Sequence, residues 1–281
     1  MEILITNDDG YEAKGLRILT NIMKQFGNVT VIAPKVHQSG MSTAVSLGLK
    51  QIAYKQLSKS QEESWAYLDA TPASCIKFGL NTKFENKLPD LVVSGINHGS
   101  NAATASCYSG TLGAAEEGAL NGVPSIGVSL TDFHPDADFS VVEKFLPDIV
   151  TKILESGPAN KPGILYNINF PNIPLEEIKG IKVGYQGKGR WIREFRPWSP
   201  DIYAKYGITP ELLGLSGEPE HEEGEELYMM VGEFVDDKSN NDLADHRLLK
   251  NGYISIVAHN MYNTDEEESE RLREAGFDID F

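Results

Sequence analysis

The sequence predicts an α/β fold in three layers, a mostly parallel sheet with helices on both faces, followed by an irregular C-terminal β-arm extension. Three observations predict it. Short apolar runs alternate with helical periodicities from the first residues onward. The first strand–helix–strand unit is complete within the first 34 residues. After about residue 181 the rhythm breaks, and residues 187–226 are rich in Gly, Pro, Trp, Tyr and acids with no helical period.

Each element has its own signal. Residues 3–6 are a short apolar run, the mark of a strand buried on both faces. Leu16, Leu19, Ile22, Met23 and Phe26 recur at helical spacing, and Gly27 is placed to end that helix. Residues 29–33 form the next strand, ended by Pro34. A parallel pair joined this way makes a right-handed crossover. Thr71-Pro72 opens a helix to about Leu80, residues 91–94 are a strand, 111–121 a helix and 124–129 a strand. An amphipathic helix over 139–155 leads to a strand over 164–170, on which Asn167 and Asn169 alternate. Residues 252–258 return to strand character, and 263–281 read as a polar, acidic tail helix. The division expected is a core of 1–186, an extension and oligomerisation arm of 187–250, and a returning strand with acidic tail over 251–281.

Composition narrows the function. The chain has 281 residues, enough to bury a core without disulfide or metal staples. Its formal charge is −16. Residues 1–200 hold 20 acidic and 19 basic side chains, whereas 201–281 hold 21 and 6, so the acidic excess lies in the last part. Such a field disfavours nucleic acid as a partner, yet leaves the near-neutral first part open to a small phosphorylated ligand. Cys75 and Cys107 are too few for a disulfide framework and lack zinc-site spacing. The start has no basic, apolar leader and no run is long enough to span a membrane, so a soluble, cytoplasmic protein is expected.

In an open parallel sheet, ligands bind outside the carboxyl ends of the strands. Those ends carry Asn7-Asp8-Asp9-Gly10, His37-Gln38-Ser39-Gly40-Met41-Ser42 and Gly95-Ile96-Asn97-His98-Gly99-Ser100-Asn101, and Tyr108-Ser109-Gly110-Thr111 leads into a helix. Two adjacent carboxylates repel unless a cation sits between them, so Asp8 and Asp9 suggest a hard divalent metal, Mg²⁺ or Mn²⁺. Alone, Asp-Asp-Gly is also an ordinary turn, and Asn97 can close an Asx-turn. Ser109-Gly110-Thr111 is an anion site at a helix start or a plain N-cap. The coincidence of these segments at one sheet edge favours chemistry. His37 and His98 flank it as surface or supporting residues.

Taken in order and spacing, these segments resemble the SurE survival-protein family. Asp69-Ala70-Thr71-Pro72-Ala73-Ser74-Cys75, residues 165–170 and Gly252-Tyr253-Ile254-Ser255 add to the resemblance, which covers 1–186 well and 242–262 fairly. It implies a Rossmann-like fold with a C-terminal arm exchanged in a homodimer or homotetramer. It also implies a metal-dependent phosphatase acting on nucleoside 5′- and 3′-monophosphates, some members also trimming polyphosphate. One divalent ion per subunit would be held by Asp8, Asp9, Ser39 and Asn97, with Asp8 and Asp9 catalytic. Asn7, Gly40, Ser42, Asn101, Ser109, Gly110 and Thr111 would line the phosphate and substrate pocket. Thr111→Val should then slow turnover and leave metal affinity intact. The chain departs from the family pattern at Ala70 and at 73–74, which alters a helix cap, and over 102–107, where the family has a Gly-rich, Asp-containing turn.

Two other classes fit parts of the pattern. A signalling receiver also carries an acidic pair after its first strand, but here the third-strand position, Gly95-Ile96-Asn97, has no carboxylate. An Asp-x-Asp phosphatase needs spaced carboxylates, and Asp8 and Asp9 are adjacent. The alternatives are a metal-binding, receiver-like signalling domain or a non-catalytic nucleotide-binding module.

Overall fold

The computed structural model describes residues 1–48, 51–134, 136–157, 162–199, 201, 219 and 221–279. In chain order the core elements are β1 (Glu2–Thr6), α1 (Lys14–Met23), β2 (Asn28–Pro34), β3 (Tyr54–Lys59), β4 (Glu63–Leu68) and α2 (Pro72–Phe78). They continue with β5 (Leu91–His98), α3 (Gly110–Leu120), β6 (Ser125–Leu130), α4 (Ser140–Glu155), β7 (Ile164–Phe170) and β8 (Gly180–Val183). The short strands β9 (Gly189–Ile192), β10 (Phe195–Pro197), β11 (Tyr228–Met230) and β12 (Glu233–Asp236) follow, then α5 (Asp245–Lys250), β13 (Tyr253–Asn260) and α6 (Glu266–Glu274).

Among the described residues the central sheet has nine strands in the order β3-β4-β2-β1-β5-β6-β7-β13-β8. The neighbours from β4 through β7 are parallel, while β3 on β4 and β13 on β7 are antiparallel. Alternation along the strands makes the three layers. Ile3, Ile5, Val29, Val31, Leu91 and Val93 face the apolar side of α1 and α4, with Leu16, Leu19, Val142 and Leu146. Leu4, Ile32 and Val92 face Ile76 and Ala114 of α2 and α3 on the other side. Strands covered on both faces are buried throughout, which is why they read as unbroken apolar runs.

The chain runs outward from β1 to β2 and β4 on one side and to β5, β6 and β7 on the other. The order therefore reverses between β1 and β5, and the carboxyl ends of these two strands open a crevice. Thr6 pairs with Ser94 at that point.

Three expectations change in detail. The Gly95-Ile96-Asn97 segment is not a loop: β5 runs to His98, its pairing with β6 resuming at Asn97–Ser129 after a register shift. Gly27 does not cap α1 in a left-handed conformation, since the helix ends at Lys24 and a Cβ on Gly27 would collide with the Met1 carbonyl. The β3–β4 edge hairpin escaped the sequence reading because its outer strand is largely exposed and polar. Beyond β8, β9 pairs with β12 and β10 with β11 as two small antiparallel ladders. Trp191, Phe195 and Trp198 belong to that stretch, whereas Tyr203 and Tyr206 lie outside the described residues.

Candidate active site

The crevice is a groove of about 340 Å³. Asp8, Ser39, Gly40, Asn97, Asn101 and Ser109 line its floor, and Tyr108 and Phe133 its rim. Trp191, Glu194, Met230 and Gly232 reach over it from the short β9–β12 strands.

Asp8 follows the fully buried end of β1 and is itself 3% exposed. Asp9 lies beside it and accepts a hydrogen bond from the backbone of His98 at the end of β5. Burial and the Asp9 charge push the Asp8 carboxyl up to about 6, and burial pushes Asp9 to about 6. Two carboxylates held this way at neutral pH call for a cation. The donor set fits a hard divalent ion. Asp9 Oδ2 is buried without a hydrogen-bond partner, as is Asn7 Oδ1. Asn97 Oδ1 lies 3.3 Å from the Thr111 hydroxyl that also meets Asp8 Oδ1, so amide and carboxylate oxygens converge. Carboxylates completed by neutral oxygens are the donors a hard divalent ion takes.

The second segment is tied to the first. The backbone N–H of Gln38 donates to the Asp8 carbonyl at 2.7 Å, which brings exposed Ser39 and Gly40 to the groove. Gly40 has φ +75°, a turn that favours glycine. Ser42 serves as a brace: its N–H donates to the Tyr108 carbonyl and its hydroxyl to the Cys107 carbonyl. Ser42 is not among the residues that line the groove.

Helix α3 starts against Asp8. A Cβ on Gly110 would lie 3.0 Å from Asp8 Cβ and 3.1 Å from Asp8 Oδ2, so a larger residue would push the helix start off the carboxylate. Ser109 caps the helix by accepting from Leu112 N–H at 3.0 Å. The hydroxyl of Thr111 is fully buried and donates to Asp8 Oδ1, where it pulls the Asp8 pKa down against burial. The Thr111 side chain thus meets an acidic residue, whereas the sequence expectation has it lining the phosphate pocket. The single letter T after Ser-Gly carries no hint of which way the hydroxyl points. Asn7 is also turned inward, its Nδ2 donating to the Gly10 carbonyl at 3.0 Å.

His37 is 3.5 Å from Asp9 Oδ1 and well exposed. The His98 ring, held by the His134 carbonyl and set edge-on to Phe139, has its pKa lowered by burial. The groove roof was missed by sequence reasoning, because nothing in an aperiodic stretch says which residue folds back over the core.

A profile of the family described as Survival protein SurE matches residues 3–193. The chain belongs to the SurE family. A relative named 5′-nucleotidase SurE from Christiangramia forsetii is 37% identical over 259 residues, covering 91% of this chain and 89% of the relative. A 5′-nucleotidase SurE from Bacteroides fragilis is 37% identical over 255 residues, and one from Chlorobium phaeobacteroides is 41% identical over 223 residues. The crystal structure of the SurE protein from Aquifex aeolicus superposes with a TM-score of 0.76 at 29% identity, covering 98% of this chain and all of that one.

Proposed function

We propose that this chain is a divalent-metal-dependent phosphomonoesterase, a 5′-nucleotidase that hydrolyses nucleoside 5′-monophosphates, and 3′-monophosphates, to nucleoside and phosphate. The observation that carries the reading is the buried Asp8–Asp9 pair at the strand-order reversal, with Asn97 Oδ1 facing the same Thr111 hydroxyl. The SurE relatives named as 5′-nucleotidases support the substrate class.

On this reading Asp8, Asp9, Asn97 and Ser39 hold one Mg²⁺ or Mn²⁺ ion. Such an ion supplies charge neutralisation on a phosphoryl oxygen. Asn101, Ser109 and the backbone N–H groups of Gly110 and Thr111 face the remaining phosphate oxygens, where the helix dipole favours negative charge. Thr111 keeps Asp8 ionised and aimed. Tyr108, Phe133 and Trp191 offer apolar surface to the nucleoside. Residues 1–186 supply the catalytic floor, 187–250 the arm, and 251–281 the returning strand and tail.

The arm also supports assembly as a homodimer or homotetramer. Phe195, Tyr228 and Met230 of the β10–β11 ladder are 70%, 55% and 68% exposed, an apolar cluster of the kind that marks an interface. Light scattering should give a mass of two or four chains, and Phe195→Glu with Met230→Glu should lower it; a monomer at micromolar concentration ends this part of the reading.

The deciding assay is turnover of p-nitrophenyl phosphate and of nucleoside monophosphates before and after EDTA. Activity should vanish with chelation and return with Mn²⁺ or Mg²⁺. Nucleotide binding without turnover would make the chain a binding module.

A further inference from the structure

Three buried polar side chains outside the metal and phosphate residues converge on one short turn. The turn, residues 100–103, follows β5 and leads through a 3₁₀ segment, Ala103–Tyr108, to Ser109 at the start of α3. Its backbone is held by side chains from far along the chain. Asn169 Oδ1 accepts from Asn101 N–H at 2.8 Å, and Asn167 Nδ2 donates to the Asn101 carbonyl at 2.9 Å. Asn169 Nδ2 donates to Asn167 Oδ1 at 2.8 Å, which fixes both amides. Alternate positions of β7 place the two on one face. Asp245 of α5 accepts the Ala103 N–H with both oxygens, at 3.1 and 3.0 Å. The same carboxylate accepts from Gly187 N–H at 2.9 Å and His246 N–H at 2.8 Å.

Asn167, Asn169 and Asp245 are all 0% exposed. Buried polar groups are costly unless fully bonded, and a buried carboxylate more so; the His246 ring lies 3.5 Å from Asp245 Oδ1. Here all three side chains bond the one turn, Asp245 through Ala103 N–H and the two asparagines through Asn101. At its end Ala103 has φ +51°, a left-handed conformation that a residue with a Cβ keeps only where its surroundings impose it. Asn101 at the head of the segment and Ser109 at its foot both line the groove.

We propose that Asn167, Asn169 and Asp245 form a positioning unit that holds the 100–103 turn and so aims Asn101 and the start of α3 at the groove above Asp8. The inference rests on the phosphatase reading, in which those two groups face phosphate. Asp245 also joins this turn to Gly187, the point where the arm leaves the core, so one carboxylate sets both floor and roof.

The test compares Asp245→Ala, Asp245→Asn and Asp245→Ala with Ala103→Gly in the full chain. The readouts are kcat and KM for a nucleoside monophosphate, Ki for inorganic phosphate, Mn²⁺ affinity by electron paramagnetic resonance, and amide hydrogen exchange over 100–110. Misplacement of about 1 Å costs on the order of 100-fold, so Asp245→Ala should lose about 10–100-fold in kcat/KM with weaker phosphate inhibition. Mn²⁺ affinity should stay within about twofold, because the proposed ligands Asp8, Asp9, Ser39 and Asn97 lie outside the 100–103 turn. Asp245→Asn, which keeps one acceptor oxygen, should lose less. Ala103→Gly should recover about threefold or more by removing the left-handed penalty. A purely structural role would give no such rescue. Wild-type kcat/KM in Asp245→Asn, a matching fall in Mn²⁺ affinity, or no rescue by Ala103→Gly each overturns the proposal. If Asp245→Ala does not fold, Asp245→Asn decides. If the wild-type chain shows no metal-dependent turnover, the phosphatase reading has failed, and hydrogen exchange unchanged in Asp245→Asn would overturn the positioning unit separately.

Discussion

The floor and the roof of the groove are built by opposite means. The floor sits on β1, β5 and β6, whose residues are nearly all buried between two helical layers. The roof sits on strands of three or four residues, none of them buried. Trp191, Phe234 and His246 stack in sequence, with ring centroids 5.6 and 5.3 Å apart, and fasten the β9–β12 ladder to α5. A polar root supports them: Arg247 donates to Asp236 and to the Asn240 carbonyl, and Asp236 also meets His246. A floor fixed by a core shifts less readily than a roof fixed by two edge-on aromatic contacts and a partly exposed polar root. The two should therefore respond differently to substitution: floor changes in metal affinity and turnover, roof changes in substrate affinity.

The largest effect expected is on the floor. Asp8→Asn should reduce kcat/KM at saturating Mn²⁺ by about 1000-fold or more, on the order of 4 kcal/mol of transition-state stabilisation. It should not lower the melting temperature in EDTA, because it removes one of two repelling buried charges. Near-normal turnover would remove Asp8 from the metal site.

The same pair sets a pH dependence. Both carboxyls stand at about 6 in the folded chain against 3.8 ordinarily, so the folded state binds more protons between those values. Their contribution to stability is present below about pH 4 and lost as pH rises through about 6. Metal needs the ionised pair, so Mn²⁺ should raise the melting temperature more at about pH 7.5 than at about pH 5. An equal rise at both, measured by calorimetry, contradicts metal binding by the ionised pair.

How much of this was legible follows from the same contrast. Ile3-Leu4-Ile5 and Val92-Val93 announced their strands because burial on both faces demands apolar side chains at every position. That Asp8, Ser39 and Asn97 meet at one groove was legible because the topology sends strand ends to one edge. The direction of the Thr111 hydroxyl was not, since a threonine at a helix start serves a cap, a ligand or a neighbouring carboxylate with the same letters. Asn167 and Asn169 stood out as polar residues in an apolar strand, but their partners are 66 and 68 residues away. Asp245 gave no signal at all, lying in a stretch already crowded with acids.

Thr111→Val sharpens the account of the floor. The variant keeps the shape and deletes the donor to Asp8 and the contact with Asn97. A hydrogen bond to a charged group contributes about 1.5–3 kcal/mol, so Mn²⁺ affinity should fall by about 10–100-fold. Electron paramagnetic resonance titration reads it directly. Lost turnover with unchanged Mn²⁺ affinity would return the hydroxyl to the phosphate.

The smallest effect belongs to the roof. Phe234 lies against Gly189, where a Cβ would collide with its ring, and between Trp191 and His246. Phe234→Ala removes both edge-on contacts and leaves β1, β5 and α3 untouched. Such pairs contribute about 0.5–1.5 kcal/mol beyond burial, which corresponds to roughly two- to tenfold in binding. Because Trp191 is the groove-lining member of the stack, the loss should be seen as a higher KM for nucleoside monophosphates. p-Nitrophenyl phosphate, which carries no nucleoside to reach the roof, should keep its KM. Mn²⁺ affinity should not move. A common loss on both substrates, or a parallel loss of Mn²⁺, would show that roof and floor move as one body and that the contrast between them is false.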